Sequence, residues 1–442
     1  MDCDALNTLK SMMKHFEAIR SGETDLLASI SELCNRIDAK EIRLRALVAG
    51  TYSRDRLLED ASVLLARYPD PSLRPSLFGM PVGVKDIFRV AGFPTRCGSE
   101  LPPELFKGPE STSVSRLKQA GALIVGKTVT TEFAYYEPGA TANPHNLAHT
   151  PGGSSSGSAC GVAAGFFPIA LGTQTIGSVI RPAAYCGIVG FKPSFGRIAT
   201  DGVIPFSTSA DHVGLLLADL SLIGPTMVVL DDHWKTAESD QTSKMPLLGV
   251  PDGPYLEQAT ERGRAVFEQV LQRLSDAGYP FRRLNPFDDL EAVNRTHRSM
   301  IAAEFARVHA GWFEDCRELY RDKTIALIET GLQVGDVELK QSRSSRLELR
   351  KVLEHHMDSE GIELWVCPSA PDSAPKGLGS TGEPAMNLPW THAGLPAISL
   401  PSGVDETRLP HGLQCVGRFM QDERLLAAAA LIQARSSPKD AP

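Results

Sequence analysis

From about residue 5 to residue 68, apolar residues recur three and four positions apart (Leu26, Leu27, Ile30, Leu33 and Ile37), with almost no internal Gly or Pro. That spacing keeps one face of a helix apolar and predicts an N-terminal arm of two or three helices over residues 1–70. The run from Pro69 through Pro71 to Pro75 ends the pattern. Short apolar runs bounded by turn residues follow at Pro81–Val84, Ala122–Val125, Pro168–Leu171, Ile188–Phe191, Leu247–Val250, Leu364–Cys367, Ala397–Leu400 and Leu413–Val416. Each reads as a short buried strand, with helical patterns between. Alternation of this kind predicts an α/β architecture over residues 71–442, with helices on both faces of a largely parallel sheet. Residues 256–277 place Val266, Phe267, Val270, Leu271 and Leu274 on one face, a covering helix that Gly278 can close. The polar, aperiodic residues 235–245 predict a surface crossing between two lobes of that sheet.

Composition narrows the functional classes. Of 442 residues, 42% are hydrophobic and 22% charged, which is the usage of a chain that folds throughout. The net charge is −8, and no run of Lys and Arg is long enough to track a phosphate backbone, so direct contact with nucleic acid is not expected. Eight scattered cysteines without a Cys-x-x-Cys pair read as reduced, mostly buried thiols. Charges at Asp2, Asp4, Lys10, Lys14, Glu17 and Arg20 leave no apolar leader, and no stretch approaches the roughly 20 apolar residues of a membrane span. The expectation is a cytoplasmic protein without membrane contact, as monomer or homodimer.

Two segments stand out chemically, Thr150–Ser158 (Thr-Pro-Gly-Gly-Ser-Ser-Ser-Gly-Ser) and Gly172–Ser178 (Gly-Thr-Gln-Thr-Ile-Gly-Ser). Isolated Gly/Ser runs are flexible linkers. Here one leads into the apolar stretch Ala159–Phe167 and the other follows a buried strand, so main-chain N–H groups are expected to turn toward something small and negative. Two motif matches fail on context. Gly121–Thr128 fits a phosphate loop by letters, but Ala122–Val125 is itself strand. Gly153–Gly157 fits a nucleophile elbow centred on Ser155, yet no hydrophobic strand precedes it. His145 with His149, and His355-His356 with Asp358, lack a third ligand at a recognisable spacing, so no metal site is expected. Lys85 ends the Pro81–Val84 strand, where lost hydration should lower its pKa provided that Asp86 turns toward backbone donors.

Gly79–Asp86, Gly152–Ala159, Gly172–Ser178, Arg181–Gly187 and Gly190–Pro193, in this order, resemble the amidase signature family of serine hydrolases. Further likeness at Phe88–Gly98, Gly121–Phe133, Ala210–Gly214, Ala393–Ala397 and Leu409–Gln414 carries it from roughly residue 25 to 435, most weakly across 235–360. The resemblance implies a single α/β/α domain around a twisted mixed β-sheet covered by helices, with 235–360 forming part of a substrate lid. It implies Ser178 as nucleophile, Ser154 as a bridging serine in a cis peptide after Gly153, and Lys85 as the ultimate base. The chemistry agrees, because a serine hydroxyl is too weakly acidic to attack an amide unaided and a second hydroxyl can pass its proton to a neutral amine. The N–H groups of Thr175, Ile176, Gly177 and Ser178 would face the oxyanion, and Ser155 would help hold the lysine. The chain departs from the commonest pattern where many members carry Asp four before the nucleophile and Arg two after it. Gln174 and Ile180 stand there, with Arg at 181, and the Gln174 amide is expected to hold the loop instead.

The activity implied is cleavage of an amide-type C–N bond in a small or aryl amide, with carbamates and esters also open, and without metal or organic cofactor. Phe133, Tyr135, Tyr136 and Trp390 are candidate substrate-pocket aromatics, each with a plain core role as its alternative. A second reading is the amidase component of a tRNA-dependent amidotransferase complex. A non-catalytic binding protein on the same fold is disfavoured because all three triad positions are filled.

Overall fold

The computed structural model describes residues 14–235 and 245–436, so the predicted crossing at 235–245 lies, apart from its two ends, outside the described residues. Ten strands form one sheet: β1 (Pro81–Lys85), β2 (Leu123–Thr128), β3 (Ile169–Gln174), β4 (Val189–Lys192), β5 (His212–Leu217), β6 (Leu248–Pro251), β7 (Phe281–Leu284), β8 (Leu364–Pro368), β9 (Ala397–Val404) and β10 (Pro410–Val416). Their spatial order is β2-β1-β3-β5-β4-β9-β10-β8-β6-β7. The sheet is mixed, and the largely parallel arrangement expected from alternation needs correction. Parallel pairs lie at the two ends, β2-β1-β3 and β8-β6-β7, while every pairing from β3 through β8 is antiparallel. The reversal has local causes: β9 and β10 are joined by five residues, which permits only an antiparallel hairpin, and β5 inserts between β3 and β4.

Eight of the strands coincide with the apolar runs. β5 lies behind the polar pair Asp211-His212, and β7 reads Phe-Arg-Arg-Leu. As the last strand in the order, β7 exposes Arg282 and Arg283, which pair with Glu360 at 2.7 Å and Glu268 at 2.5 Å. Charge of this kind blunts a sheet edge and also erases the apolar signal of a strand.

The N-terminal arm contains the helices Leu26–Leu44 and Arg54–Arg67, started by Asp25, which accepts the Ala28 N–H at 2.7 Å, and by Ser53. Its stripe of Leu26, Ile30, Leu33 and Ile37 is buried in one cluster with Cys160, Val162, Phe166 and Phe167. The covering helix runs Glu261–Asp276, after a separate short helix at Pro254–Glu257, because the Thr260 hydroxyl caps Gly263 N–H at 3.0 Å and starts a new helix. No helix among the described residues is long and apolar enough to cross a membrane.

The buried helix Ser156–Ala163 is the hinge between arm, sheet and site. Gly157 N–H donates to Val129 O at 2.9 Å, and a Cβ at Gly157 would lie 2.0 Å from Ala46 O and 2.4 Å from Val129 N. Backbone on both sides cannot yield as a side chain would. Gly157→Ala is therefore expected to cost at least about 1–3 kcal/mol, the range for overpacking, read as a lower urea midpoint at unchanged m-value.

Candidate active site

Parallel pairing of β1 with β3 decides where the chemistry collects. With Val84 in register with Leu171, the next residues emerge together at the carboxyl ends of both strands. There the fully buried Lys85 Nζ lies 2.8 Å from Ser154 Oγ and 2.8 Å from Thr173 Oγ1. Asp86 points away. Its carboxylate makes a buried ion pair with Lys127 of β2 at 2.7 Å and accepts Arg96 N–H at 3.2 Å, so a cation rather than backbone donors alone takes up the neighbouring charge. That contact also settles the phosphate-loop letters, because Lys127 sits inside β2 with its side chain sealed against Asp86. Burial lowers the Lys85 pKa to about 7, the nearby Asp211 opposing the shift.

Ser154 follows a cis peptide bond from Gly153. Ser155 does not reach the lysine. Its hydroxyl meets Thr173 O at 3.3 Å and Thr173 N at 3.4 Å, so its support is indirect, through the threonine whose own hydroxyl takes the amine. Thr173 carries no mark in the sequence, since only the β1–β3 register brings it beside Lys85.

The 174–178 loop is held from outside. Gln174 Oε1 accepts the N–H groups of Val179 at 2.9 Å and Ile180 at 3.0 Å, and its Nε2 donates to Thr391 Oγ1 at 2.9 Å, so the amide holds the loop. Thr391 Oγ1 donates to Ile176 O at 2.6 Å, His297 Nε2 lies 3.0 Å from Thr175 O, and Arg181 N–H donates to Gly177 O at 3.0 Å. With these carbonyls engaged, the N–H groups of Ile176, Gly177 and Ser178 have no acceptor among the described residues. Gly177 must lack a side chain, since a Cβ would lie 2.3 Å from Asn387 Oδ1. Asp211, another residue missed as a functional candidate, accepts the Thr175 hydroxyl at 2.6 Å and the Phe206 and Ser207 N–H groups at 2.8 and 2.9 Å.

Ser178 and Ser154 line one small cavity, with Ala134, loop residues 175–177, Tyr135, Tyr136, Phe206, Pro384 and Arg181 completing its wall. The Ser178 hydroxyl makes no hydrogen bond among the described residues, and the residue as a whole is 8% exposed. Tyr135, Tyr136 and Ile176 also border a wider vestibule, whose far wall comes from the helices Leu290–Cys316 and Asp322–Leu332.

Two of the four candidate pocket aromatics are core. Phe133 and Ala134 take φ of +46° and +63°, a turn that sends Phe133 into a cluster with Phe106, Phe305, His309 and Tyr320 while Tyr135 and Tyr136 face the cavity. Trp390 is fully buried; its Nε1 donates to Tyr255 OH at 2.7 Å, and its ring packs on Tyr255, Phe287 and Trp365.

The histidine pairs also resolve. His145 Nε2 lies 2.8 Å from Cys186 O and His149 Nδ1 2.8 Å from Ala374 O, while Asp358 pairs with Arg418 at 2.7 Å. A convergence that spacing could not reveal is Asp372, Asp405 and His411, where Arg262 pairs with Asp372 at 2.8 Å and approaches Asp405 at 3.8 Å.

This mixed α/β sheet with its sealed lysine and glycine-lined loop defines a hydrolase architecture, and the sequence pattern of the amidase family matches residues 28–426. The chain belongs to the amidase family and is an amidase-family hydrolase. It is similar to a glutamyl-tRNA(Gln) amidotransferase subunit of Synechococcus sp. (strain RCC307), at 30% identity over 93% of this chain and 94% of that protein. The protein of the same description from Prochlorococcus marinus (strain AS9601) is 26% identical, covering 95% and 97%. Among solved structures, a crystal structure of an amidase superposes with a TM-score of 0.86 at 29% identity, covering 96% of this chain and 99% of that one. A peptide amidase in complex with the competitive inhibitor chymostatin shares the fold, with a TM-score of 0.81 at 24% identity, over 96% and 97% of the two chains.

Gln174→Leu removes the acceptor of two buried N–H groups. It is expected to lower stability by at least about 2 kcal/mol, since each stranded donor costs about 1–3 kcal/mol, measured by chemical denaturation.

Proposed function

We propose that this chain hydrolyses an amide-type C–N bond of a small molecule through an acyl-enzyme on Ser178, with Ser154 and Lys85 as its proton relay. The observation that carries this reading is the sealed amine. Lys85 has only hydroxyls as hydrogen-bond partners, 2.8 Å from Ser154 and Thr173, and Ser154 shares a cavity with Ser178 and its loop of unpaired N–H groups. A neutral amine donates to Thr173 and accepts the Ser154 proton, which Ser154 replaces from Ser178 as the Ser178 Oγ–carbon bond forms. The relay runs backward to protonate the departing nitrogen as the C–N bond breaks. Water then repeats the sequence on the acyl-enzyme. The N–H groups of Ile176, Gly177 and Ser178 suit the oxygen that becomes negative, a contribution typically of about 3–4 kcal/mol per donor. Metal or organic cofactor has no assigned part in this sequence. Tyr135 and Tyr136 would line the acyl or leaving-group side, and helices within 235–360 would act as the lid.

Free hydrolysis is favoured because one chain supplies every group in the sequence. The names of the amidotransferase relatives support a second reading, in which this chain releases ammonia for a partner enzyme acting on tRNA. The purified chain decides between them: turnover of small amides unaided is expected, and strict dependence on a partner would favour the second reading.

Ser178→Ala is expected to abolish turnover, and a fluorophosphonate is expected to label Ser178; labelling at Ser155 would overturn the assignment. Lys85→Ala should reduce amide turnover by about 10²–10⁴, the range for general acid–base catalysis, and spare activated esters.

The pH profile follows from the lysine. Its amine accepts a proton only when neutral, and with a pKa of about 7 half the molecules are competent near neutrality. At the ordinary value of about 10.4, only about one in a few thousand would be. Rates should rise about tenfold per pH unit below 7 and level off about one unit above it, and a profile flat from pH 5 to 9 would count against the relay.

A further inference from the structure

The N–H groups of Ile176, Gly177 and Ser178, without acceptors among the described residues, are each aimed from behind. In a trans peptide the C=O and the N–H of the next residue point in opposite directions, so a partner that holds one fixes the other. Thr391 Oγ1 holds Ile176 O at 2.6 Å and thereby directs the Gly177 N–H, and the Arg181 N–H holds Gly177 O at 3.0 Å and directs that of Ser178. For the Ile176 N–H the holding partner is His297, whose Nε2 lies 3.0 Å from Thr175 O and is the one donor that the described residues bring to it. His297 belongs to helix Leu290–Cys316, in the stretch where the family resemblance is weakest, and does not line the cavity.

His297 is fully buried, and its Nδ1 lies 3.1 Å from Nδ1 of His392, which is buried too; His392 Nε2 lies 2.9 Å from Ser345 Oγ on helix Asp336–Glu360. The direction of every hydrogen in this row follows from its end. A carbonyl oxygen only accepts, so Nε2 of His297 carries hydrogen. Burial keeps both rings neutral, pushing His297 well below its ordinary pKa, with His392 adding to the shift, and taking His392 down to about 3, with Arg346 adding to it. A neutral ring has one N–H, so Nδ1 of His297 accepts from Nδ1 of His392, and Nε2 of His392 accepts from the Ser345 hydroxyl. Ser345 Oγ also lies 2.8 Å from Ser342 O, but its single hydrogen goes to the ring nitrogen, which has none to give. The row therefore runs one way, from Ser345 through His392 and His297 to Thr175 O, and the two rings carry opposite tautomers.

We propose that His297 is a positioning residue for the oxyanion site: by holding Thr175 O it aims the Ile176 N–H at the oxygen that becomes negative, and His392 with Ser345 fixes it in the one tautomer that can do so. The proposal rests on the reading of Ser178 as nucleophile and adds the residue that orients the first of its oxyanion donors. Asp211 accepts the hydroxyl of the same threonine at 2.6 Å, so Thr175 is gripped at side chain and carbonyl from two separate elements. Helix Leu290–Cys316 also lines the vestibule through Arg298, Ile301 and Ala302, so one element forms the approach to the site and sets a donor within it. Donors of this kind are effective because they need not turn when charge develops, and an unheld Thr175–Ile176 peptide would have to.

The test is the rate at which a fluorophosphonate labels Ser178 in the purified full chain, since its phosphoryl oxygen gains charge where a carbonyl oxygen would. His297→Leu should lower the second-order rate by about tenfold or more, towards the roughly 10²–10³ lost with a whole donor, and His297→Gln, whose amide offers both a donor and an acceptor, should recover most of that loss. Neither substitution should move the pH midpoint of labelling, because His297 takes no proton in the reaction. A histidine that served stability alone would show as a lower urea midpoint with the labelling rate of the folded chain kept. A wild-type rate in folded His297→Leu, or equal losses in the Leu and Gln variants, would overturn the proposal. So would a shifted pH midpoint in either, which would place His297 in the proton relay. If His297→Leu does not fold, NMR of the ring nitrogens in the isotope-labelled wild-type chain decides: hydrogen on Nε2 of His297 and on Nδ1 of His392 is expected at neutral pH, and any other pair of states overturns the proposal. A wild-type chain that does not take the label at Ser178 overturns the nucleophile reading and this proposal together, whereas every other adverse outcome leaves that reading standing.

Discussion

A lysine amine enclosed by protein, with two hydroxyls for company, is the constraint on which the rest of this site depends. Water would keep it charged, as would a carboxylate at contact distance. The fold removes both: β1 buries the side chain beneath the sheet's carboxyl ends, and the neighbouring Asp86 is drawn off by Lys127 of β2 at 2.7 Å. The buried ion pair thus keeps the neighbouring carboxylate off the Lys85 amine. Asp211 remains the residual negative influence, and its carboxylate is occupied by Thr175 and two backbone N–H groups.

The second requirement is a loop whose amide hydrogens face a cavity without collapsing onto protein acceptors. Here the carbonyl side of the loop is tied down first. Thr391, His297 and Arg181 N–H occupy the carbonyls of residues 176, 175 and 177, and Gln174 clamps the turn from beneath. Donors fixed in this way need no reorganisation when charge develops, which is what makes such sites effective. The clamp at Gln174 is an uncharged amide.

The apolar runs determined most strands, because a segment buried on both faces must be apolar whatever its neighbours. The helical arm and covering helix were legible through 3.6-residue spacing, while the Thr260 cap that starts the covering helix at Glu261 was not. The Gly/Ser segments marked two serines that line one cavity, the lysine at a strand end lies against one of them, and the expected role of Gln174 was set by its place four before Ser178. Tertiary structure alone decided the rest. The order and direction of strands depend on which edges meet across hundreds of residues, so a mixed sheet with an antiparallel centre cannot be read from local patterns. β7 was hidden by the arginines that protect its edge. Phe133, Tyr135 and Tyr136 are indistinguishable as aromatics in sequence; a two-residue turn at positive φ sends one inward and two to the cavity. Trp390 looks like a pocket residue by its neighbours and is core by its contacts. Thr173 and Asp211 acquire meaning only from partners far away in the chain, which sequence spacing does not record.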